Sequence, residues 1–235
     1  MTLFLWDSTF IILIPAVLLA LYAQYRVSAA FGKYSKVPVR SGVSGAQAAQ
    51  YILQYEAQIE PATAPIARAV GIERVGGNLT DHYDPRSNIL RLSEPVYGGS
   101  SIAAVGVAAH EAGHAIQRAT GYAPLALRAV LVPAATAQQL TWLLFILGLF
   151  AHLPVLQNVA IWIFSAAVAF TAITLPVEFN ASARAVALLR SSGLVAEDEI
   201  GGVRAVLNAA ALTYVAAALM AILQLLRMIL LRDRR

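Results

Sequence analysis

A chain of 235 residues that is 59% hydrophobic and 13% charged, with a mean hydropathy of +0.66, belongs with integral membrane proteins and not with ordinary soluble domains. Its net charge of +4 comes from arginines and lysines scattered around apolar spans, which excludes a nucleic-acid surface and makes the lipid bilayer the expected partner. With no cysteine there is neither a disulfide framework nor a thiolate metal site, so any metal must be held by His, Asp or Glu.

Residues 8–25 carry no charge and are just long enough to cross a bilayer as a helix, with Pro15 expected to kink it. Asp7, and the lack of Lys or Arg ahead of the apolar run, do not suit a cleaved signal peptide, so residues 1–26 read as a retained transmembrane anchor. Arg26, Lys33, Lys36 and Arg40 follow closely, and the positive-inside bias assigns the next segment to the cytoplasm and the N-terminus to the outside.

Residues 27–132 form the second region, and from residue 41 the composition is that of a small globular domain. Ser44 and Gln47 have capping-box spacing ahead of a helix expected to reach about Glu56, broken by Pro61 and Pro65. Short strands are expected at 70–75, 78–83 and 89–92, the last two joined across residues 84–88. A helix capped by Ser100 or Ser101 then runs to near Gly121 and carries His110-Glu111-Ala112-Gly113-His114. Residues four apart on a helix share a face, so His110 and His114 can present two imidazole nitrogens to one zinc ion. Glu111 lies beside the metal without ligating it, where it can take a proton from an attacking water.

Residues 133–178 read as a transmembrane hairpin, with apolar spans at 134–151 and 155–177 joined by His152-Leu153-Pro154. If the catalytic domain is cytoplasmic, His152 lies at the opposite face, about 30 Å from a zinc ion near the inner one. The candidates for a third ligand on the domain's side are then Glu178, His82 and Asp81. Glu178 is favoured because a helical pattern through Phe179, Ala183, Val186 and Leu189 would place it on a rigid element; His82 is the better rival, since imidazole is an equally good ligand.

Residues 179–235 comprise a helical segment and a C-terminal membrane helix, apolar over 209–226. Glu197, Asp198 and Glu199 precede a helix beginning near Ile200 and are expected to offset its dipole. Arg227, Arg232, Arg234 and Arg235 would end outside if this helix crossed, against the charge bias. The helix is therefore read as overriding that bias, lying in the interface, or dipping in and returning, and the total as three to four transmembrane helices.

Four stretches together carry a resemblance: His110 to His114; Leu79-Thr80-Asp81-His82-Tyr83-Asp84-Pro85-Arg86; Leu175-Pro176-Val177-Glu178-Phe179-Asn180-Ala181-Ser182; and Leu207-Asn208-Ala209-Ala210-Ala211-Leu212-Thr213-Tyr214. The chain resembles the YugP-type family of bacterial membrane zinc metallopeptidases over nearly its whole length, and more distantly the HtpX-like and CAAX-prenyl proteases. The resemblance implies a mostly α integral membrane protein with a small α+β zincin-like (gluzincin) catalytic domain, multi-pass in the bacterial inner membrane. It implies one Zn2+ held by His110, His114 and a downstream helical glutamate, here Glu178, with Glu111 as base and a protein or peptide as substrate. An Asp often follows that glutamate by one turn; here the position is Ser182, a weaker support for an imidazole. Tyr214, Asn208, Arg204 and His82 are the candidate donors to an oxyanion, Asn208 also a candidate support to the ligands, and Asn78, Leu79, Thr80, Asp81 and His82 a candidate substrate-binding edge strand. The competing function is a catalytically silent zinc-containing membrane scaffold or chaperone-like binder. Glu111, which a structural site does not need, argues against it. A transporter would need ionisable groups within its spans, and residues 134–177 offer only His152.

Overall fold

The computed structural model describes residues 8–233; Asp7 of the N-terminal flank and Arg234 and Arg235 of the basic tail lie outside the described residues. The elements in chain order are a 3-10 turn at Ser8–Leu13, α1 (Ile14–Tyr34), α2 (Gly45–Ile59), α3 (Ala64–Ala67), β1 (Gly71–Val75), β2 (His82–Asp84), β3 (Ile89–Ser93), α4 (Glu94–Tyr97), α5 (Ile102–Ala119), α6 (Ala123–Phe150), α7 (Pro154–Ser191) and α8 (Ile200–Asp233). The fold is mostly helical with one small sheet. Contacts divide the chain into two compact units: one from the described part of Met1–Gln24, Ala126–Pro176 and the described part of Leu212–Arg235, the other from Tyr25–Leu125 and Val177–Ala211.

Among the described residues four helical segments are long and apolar enough to cross a membrane: Ser8–Tyr34, Ala123–Phe150, Pro154–Ser191 and Ile200–Asp233. Within the first unit Phe145, Phe164 and Met228 are fully buried, whereas Val130, Leu147, Phe150 and Trp162 are exposed, an apolar exterior suited to lipid. The turn between α6 and α7 closes on Gly148, whose carbonyl accepts from Leu153 N at 2.8 Å and from Gln157 Nε2 at 3.1 Å. His152 takes the left-handed φ of +54° that ends the turn. Arg227 is buried against the Phe10 ring, 3.8 Å from its centroid, and donates to Thr9 Oγ1 at 3.1 Å.

The helices refine what the sequence suggests. Pro15 falls in the first turn of α1, directly after the 3-10 turn at Ser8–Leu13, where its missing N–H breaks no bond of α1. The apolar span at 134–151 lies in a helix that begins at Ala123 and passes through Pro133, and the span at 155–177 lies in one that runs on through Pro176 and the helical pattern after Glu178 to Ser191, since a proline within a long apolar helix removes one bond without ending it. The last helix is continuous from Ile200 to Asp233, about 50 Å at the usual rise per residue, so it does not dip in and return.

The second unit is built around α5. Ser44 caps α2 through a full capping box, with Gln47 N donating to Ser44 Oγ at 3.3 Å and Ser44 N to Gln47 Oε1 at 2.8 Å. Ala48, Ala49, Ile52 and Leu53 line the buried face of α2, which packs chiefly on α5. The sheet order is β1-β3-β2, with β1 parallel and β2 antiparallel to β3, so β2 is an edge strand. The strand expected at 78–83 is shorter and later, at His82–Asp84. Local turn chemistry explains the difference: Gly77 and Leu79 take φ of +102° and +56°, Thr80 Oγ1 donates to Gly76 O at 3.0 Å, and Asp81 accepts from Ser93 N at 2.7 Å. Asp84 then locks the β2–β3 turn. Hydrogen bonds from Arg91, Ser87 and the Arg86 backbone hold its carboxyl far below the usual range.

The acidic cluster before α8 does more than oppose a dipole. Glu199 accepts from Ala196 N and Arg40 N, both at 2.9 Å, while Asp198 pairs with Arg40 and Glu197 with Arg190.

The start of α2 gives a direct test of this packing. A Cβ at Gly45 would lie 2.2 Å from the Val96 carbonyl oxygen. Ser44→Ala is expected to cost about 1 kcal/mol through the lost cap, and Gly45→Ala more, up to about 3 kcal/mol, because backbone must move. Thermal unfolding in detergent measures both; equal melting temperatures for the two variants would show that the close approach is not as described.

Candidate metal centre

The site starts from the helix start at Ser101. Its hydroxyl accepts from Ala104 N at 3.2 Å and fixes the first turn of α5, which then buries Ala108, Ala109, Ala112 and Ala115. These small side chains let neighbours approach, and Gly113 most of all: a Cβ there would lie 2.7 Å from the Ala181 carbonyl oxygen on α7. That contact brings the histidine face of α5 against the stretch of α7 that carries Glu178.

Glu178 Oε2 lies 3.2 Å from His110 Nε2 and 3.5 Å from His114 Nε2. The two rings stand edge to face, with centroids 4.8 Å apart. The three side chains offer ligand atoms all within 4.8 Å of one another, the one such group of three or more among the described residues. Tetrahedral zinc with bonds of about 2.0–2.2 Å separates its ligands by about 3.3–3.6 Å, so this donor set fits that ion.

Each imidazole is oriented from behind. Ser182 Oγ lies 3.1 Å from His110 Nδ1, and Gln117 Oε1 lies 3.0 Å from His114 Nδ1. A proton on each Nδ1 satisfies both contacts and leaves the Nε2 lone pairs aimed at the common point. Gln117 is fully buried, and its amide donates to Val177 O at 2.7 Å and Asn180 Oδ1 at 3.0 Å. Asn180 Oδ1 also accepts from Arg184 Nε at 2.9 Å. One side chain on α5 thus ties His114 to the backbone beside Glu178.

Burial works against an imidazolium at His114, yet its hydrogen bond to Glu178 and the charges of Glu111 and Glu178 override this and raise its pKa above the ordinary histidine value. A pocket that favours positive charge in this way suits a cation. Glu111 is buried but outside the converging triad, and its Oε2 accepts from the Tyr83 N–H of edge strand β2 at 3.0 Å.

The other candidates lie elsewhere. His82 is exposed, with Nδ1 2.8 Å from Thr80 O, and Asp81 is engaged by the Ser93 backbone and hydroxyl, so neither joins the triad. Asn78, Leu79 and Thr80 belong to the turn before β2. Asn208 is exposed beside Ser182 along a groove and forms no hydrogen bond with either histidine. Tyr214 is exposed and belongs to the first compact unit. Sequence reasoning missed Gln117, Asn180 and Gly113. A signal for Gln117 was present, since it follows His114 by three residues and therefore shares its helix face.

Gln117→Leu is expected to lower zinc affinity by about 10–100-fold, and Ser182→Ala by less, in chelator-competition titrations. Gly113→Ala should lose zinc without touching any ligand. Unchanged affinity in the Gln117 and Gly113 variants would separate the metal centre from the α5–α7 contact.

Over residues 9–233 the chain matches the family described as "Putative neutral zinc metallopeptidase". It is 46% identical over 219 residues to a Bacillus subtilis (strain 168) protein named "Putative membrane protease YugP", a match covering 93% of each chain. No solved structure matches it. These matches agree with the resemblance read from the four sequence stretches, and since they take in both compact units and every member of the triad, the chain belongs to this neutral zinc metallopeptidase family.

Proposed function

We propose that this protein is a membrane-embedded, zinc-dependent endopeptidase that hydrolyses peptide bonds of membrane-associated or unfolded proteins. In this reading His110, His114 and Glu178 hold one zinc ion, in the His-Glu-x-x-His plus Glu (gluzincin) manner, and Glu111 is the general base. The observation that carries the reading is the different placement of two carboxylates. Glu178 converges on the Nε2 atoms, whereas Glu111 stands outside the triad and is oriented by the Tyr83 N–H. A structural metal staple needs the first and has no use for the second.

Zinc held by these three side chains would supply Lewis acidity that makes water a stronger acid. Glu111 accepts the proton of the attacking water and returns it to the leaving amine. The Tyr83 N–H keeps that carboxylate aimed while Ser182 and Gln117 keep the imidazoles from rotating. Strand β2, at the sheet edge and joined to Glu111 by this bond, is the element on which an extended peptide would align by strand addition. The basic residues Arg26, Lys33, Lys36 and Arg40 after the first span support a catalytic unit on the cytoplasmic side of a bacterial inner membrane.

Glu111→Gln should keep zinc and fold while losing about 10²–10⁴-fold in peptidase rate on an unfolded protein substrate. A glutamine variant with most of its turnover would defeat the mechanism. His110→Ala and Glu178→Ala should lose zinc by metal analysis, whereas His82→Ala should retain it; the reverse result would reassign the third ligand. For topology, alkaline phosphatase fused near Arg68 should be inactive, and activity there would place the catalytic unit outside.

A further inference from the structure

Behind His110 the C-terminal part of α7 and the first turns of α8 enclose an open groove of roughly 440 Å³, lined by apolar Phe179, Ala183, Val186 and Leu207 together with Ser182 and Arg204. Every lining residue belongs to the second compact unit. Two guanidiniums reach it, but they are not equivalent. Arg190 is engaged by Glu197, with Nε donating to Oε2 at 2.7 Å, whereas Arg204 is exposed and has no ion-pair partner among the described residues. The groove therefore joins an apolar wall to one uncompensated positive charge.

The groove and the converging ligand atoms lie on opposite sides of the His110 ring. Ser182 meets the Nδ1 side of His110, while the converging ligand atoms lie on the Nε2 side of the same ring. An occupant of the groove would meet His110 through Ser182, on the side of the ring away from the converging atoms. The groove lies on the stretches of α7 and α8 that belong to the second compact unit, and each of these helices also includes a stretch apolar enough to cross a bilayer, so membrane lipid is the amphiphile available to it.

We propose that this groove binds an anionic phospholipid, its acyl chain against Phe179, Val186 and Leu207 and its phosphate on Arg204. Charge complementarity selects the anionic class. A zwitterionic headgroup carries its own cation and gains less from Arg204. Because Ser182 both lines the groove and supports His110, the bound lipid also steadies the metal ligand. That coupling rests on the metallopeptidase reading, whereas lipid binding itself does not.

The test uses the full chain in detergent with defined dioleoylphosphatidylglycerol or dioleoylphosphatidylcholine, reading retained lipid by native mass spectrometry. The wild type should retain phosphatidylglycerol preferentially, Arg204→Gln should reduce that retention about fivefold, and Arg204→Lys should restore most of it. Ala187→Trp, which fills the groove from its apolar wall, should reduce retention of both lipids. Equal phosphatidylglycerol retention in wild type and Arg204→Gln would overturn the proposal, as would its displacement by an apolar peptide at comparable concentration. In a second arm, phosphatidylglycerol should slow zinc loss from the wild type to a chelator; unchanged loss with lipid bound would overturn the coupling. A protein that retains the lipid but never binds zinc would leave the lipid site standing and remove the metallopeptidase reading.

Discussion

The contact on which the metal centre depends is the close approach of α5 and α7 at Gly113, where the backbone of Ala181 occupies the space a side chain would need. His110 and His114 lie on one helix and Glu178 on another, 64 residues beyond His114, so no local preference can bring them together. Removing a single Cβ does so, because two helices that touch backbone to backbone place side chains on their facing turns within ligand distance. Glu178 follows Pro176 by two positions in an α7 that stays helical throughout, so the carboxylate sits on a rigid element.

Such a site is costly in polar groups, and the structure compensates each one. A buried carboxylate without a partner would be strongly unfavourable, yet Glu178 meets two imidazoles. Each imidazole in turn has an oxygen behind it, and Gln117, itself fully buried, has partners for both ends of its amide. Glu111 is satisfied separately by a strand N–H. The two carboxylates thus have separate partners, Glu178 the imidazoles and Glu111 the Tyr83 N–H.

The first compact unit follows a different principle. Many of its outward side chains are apolar, and two of its long polar side chains, Gln157 and Arg227, are drawn inward. Gln157 closes a turn onto Gly148, and Arg227 lies against the face of Phe10. A guanidinium over an aromatic face gains cation–π attraction in place of part of its hydration.

The sequence by itself determined the elements whose signals are local. The capping box at Ser44 and Gln47, a serine cap at Ser100 or Ser101, the apolar spans and the His110/His114 spacing depend on residues within a turn or two of each other or on hydropathy summed over a window, and the structure has each of them, the cap at Ser101. The sequence also favoured Glu178 through the helical pattern that follows it, with His82 and Asp81 as rivals of suitable ligand chemistry. Only the tertiary structure decided that Glu178 converges with the histidines, that Asp81 is spent on Ser93, and that His82 points to Thr80, because those outcomes depend on how distant helices and strands pack. The start of β2 shows the same limit at shorter range: an apparently continuous strand pattern at 78–83 yielded to left-handed turn residues and an Asp81–Ser93 bond. Gln117, Asn180 and Gly113 carry no chemical signature of a metal site, since an amide or a glycine acquires its role only from what lies opposite it across a helix contact.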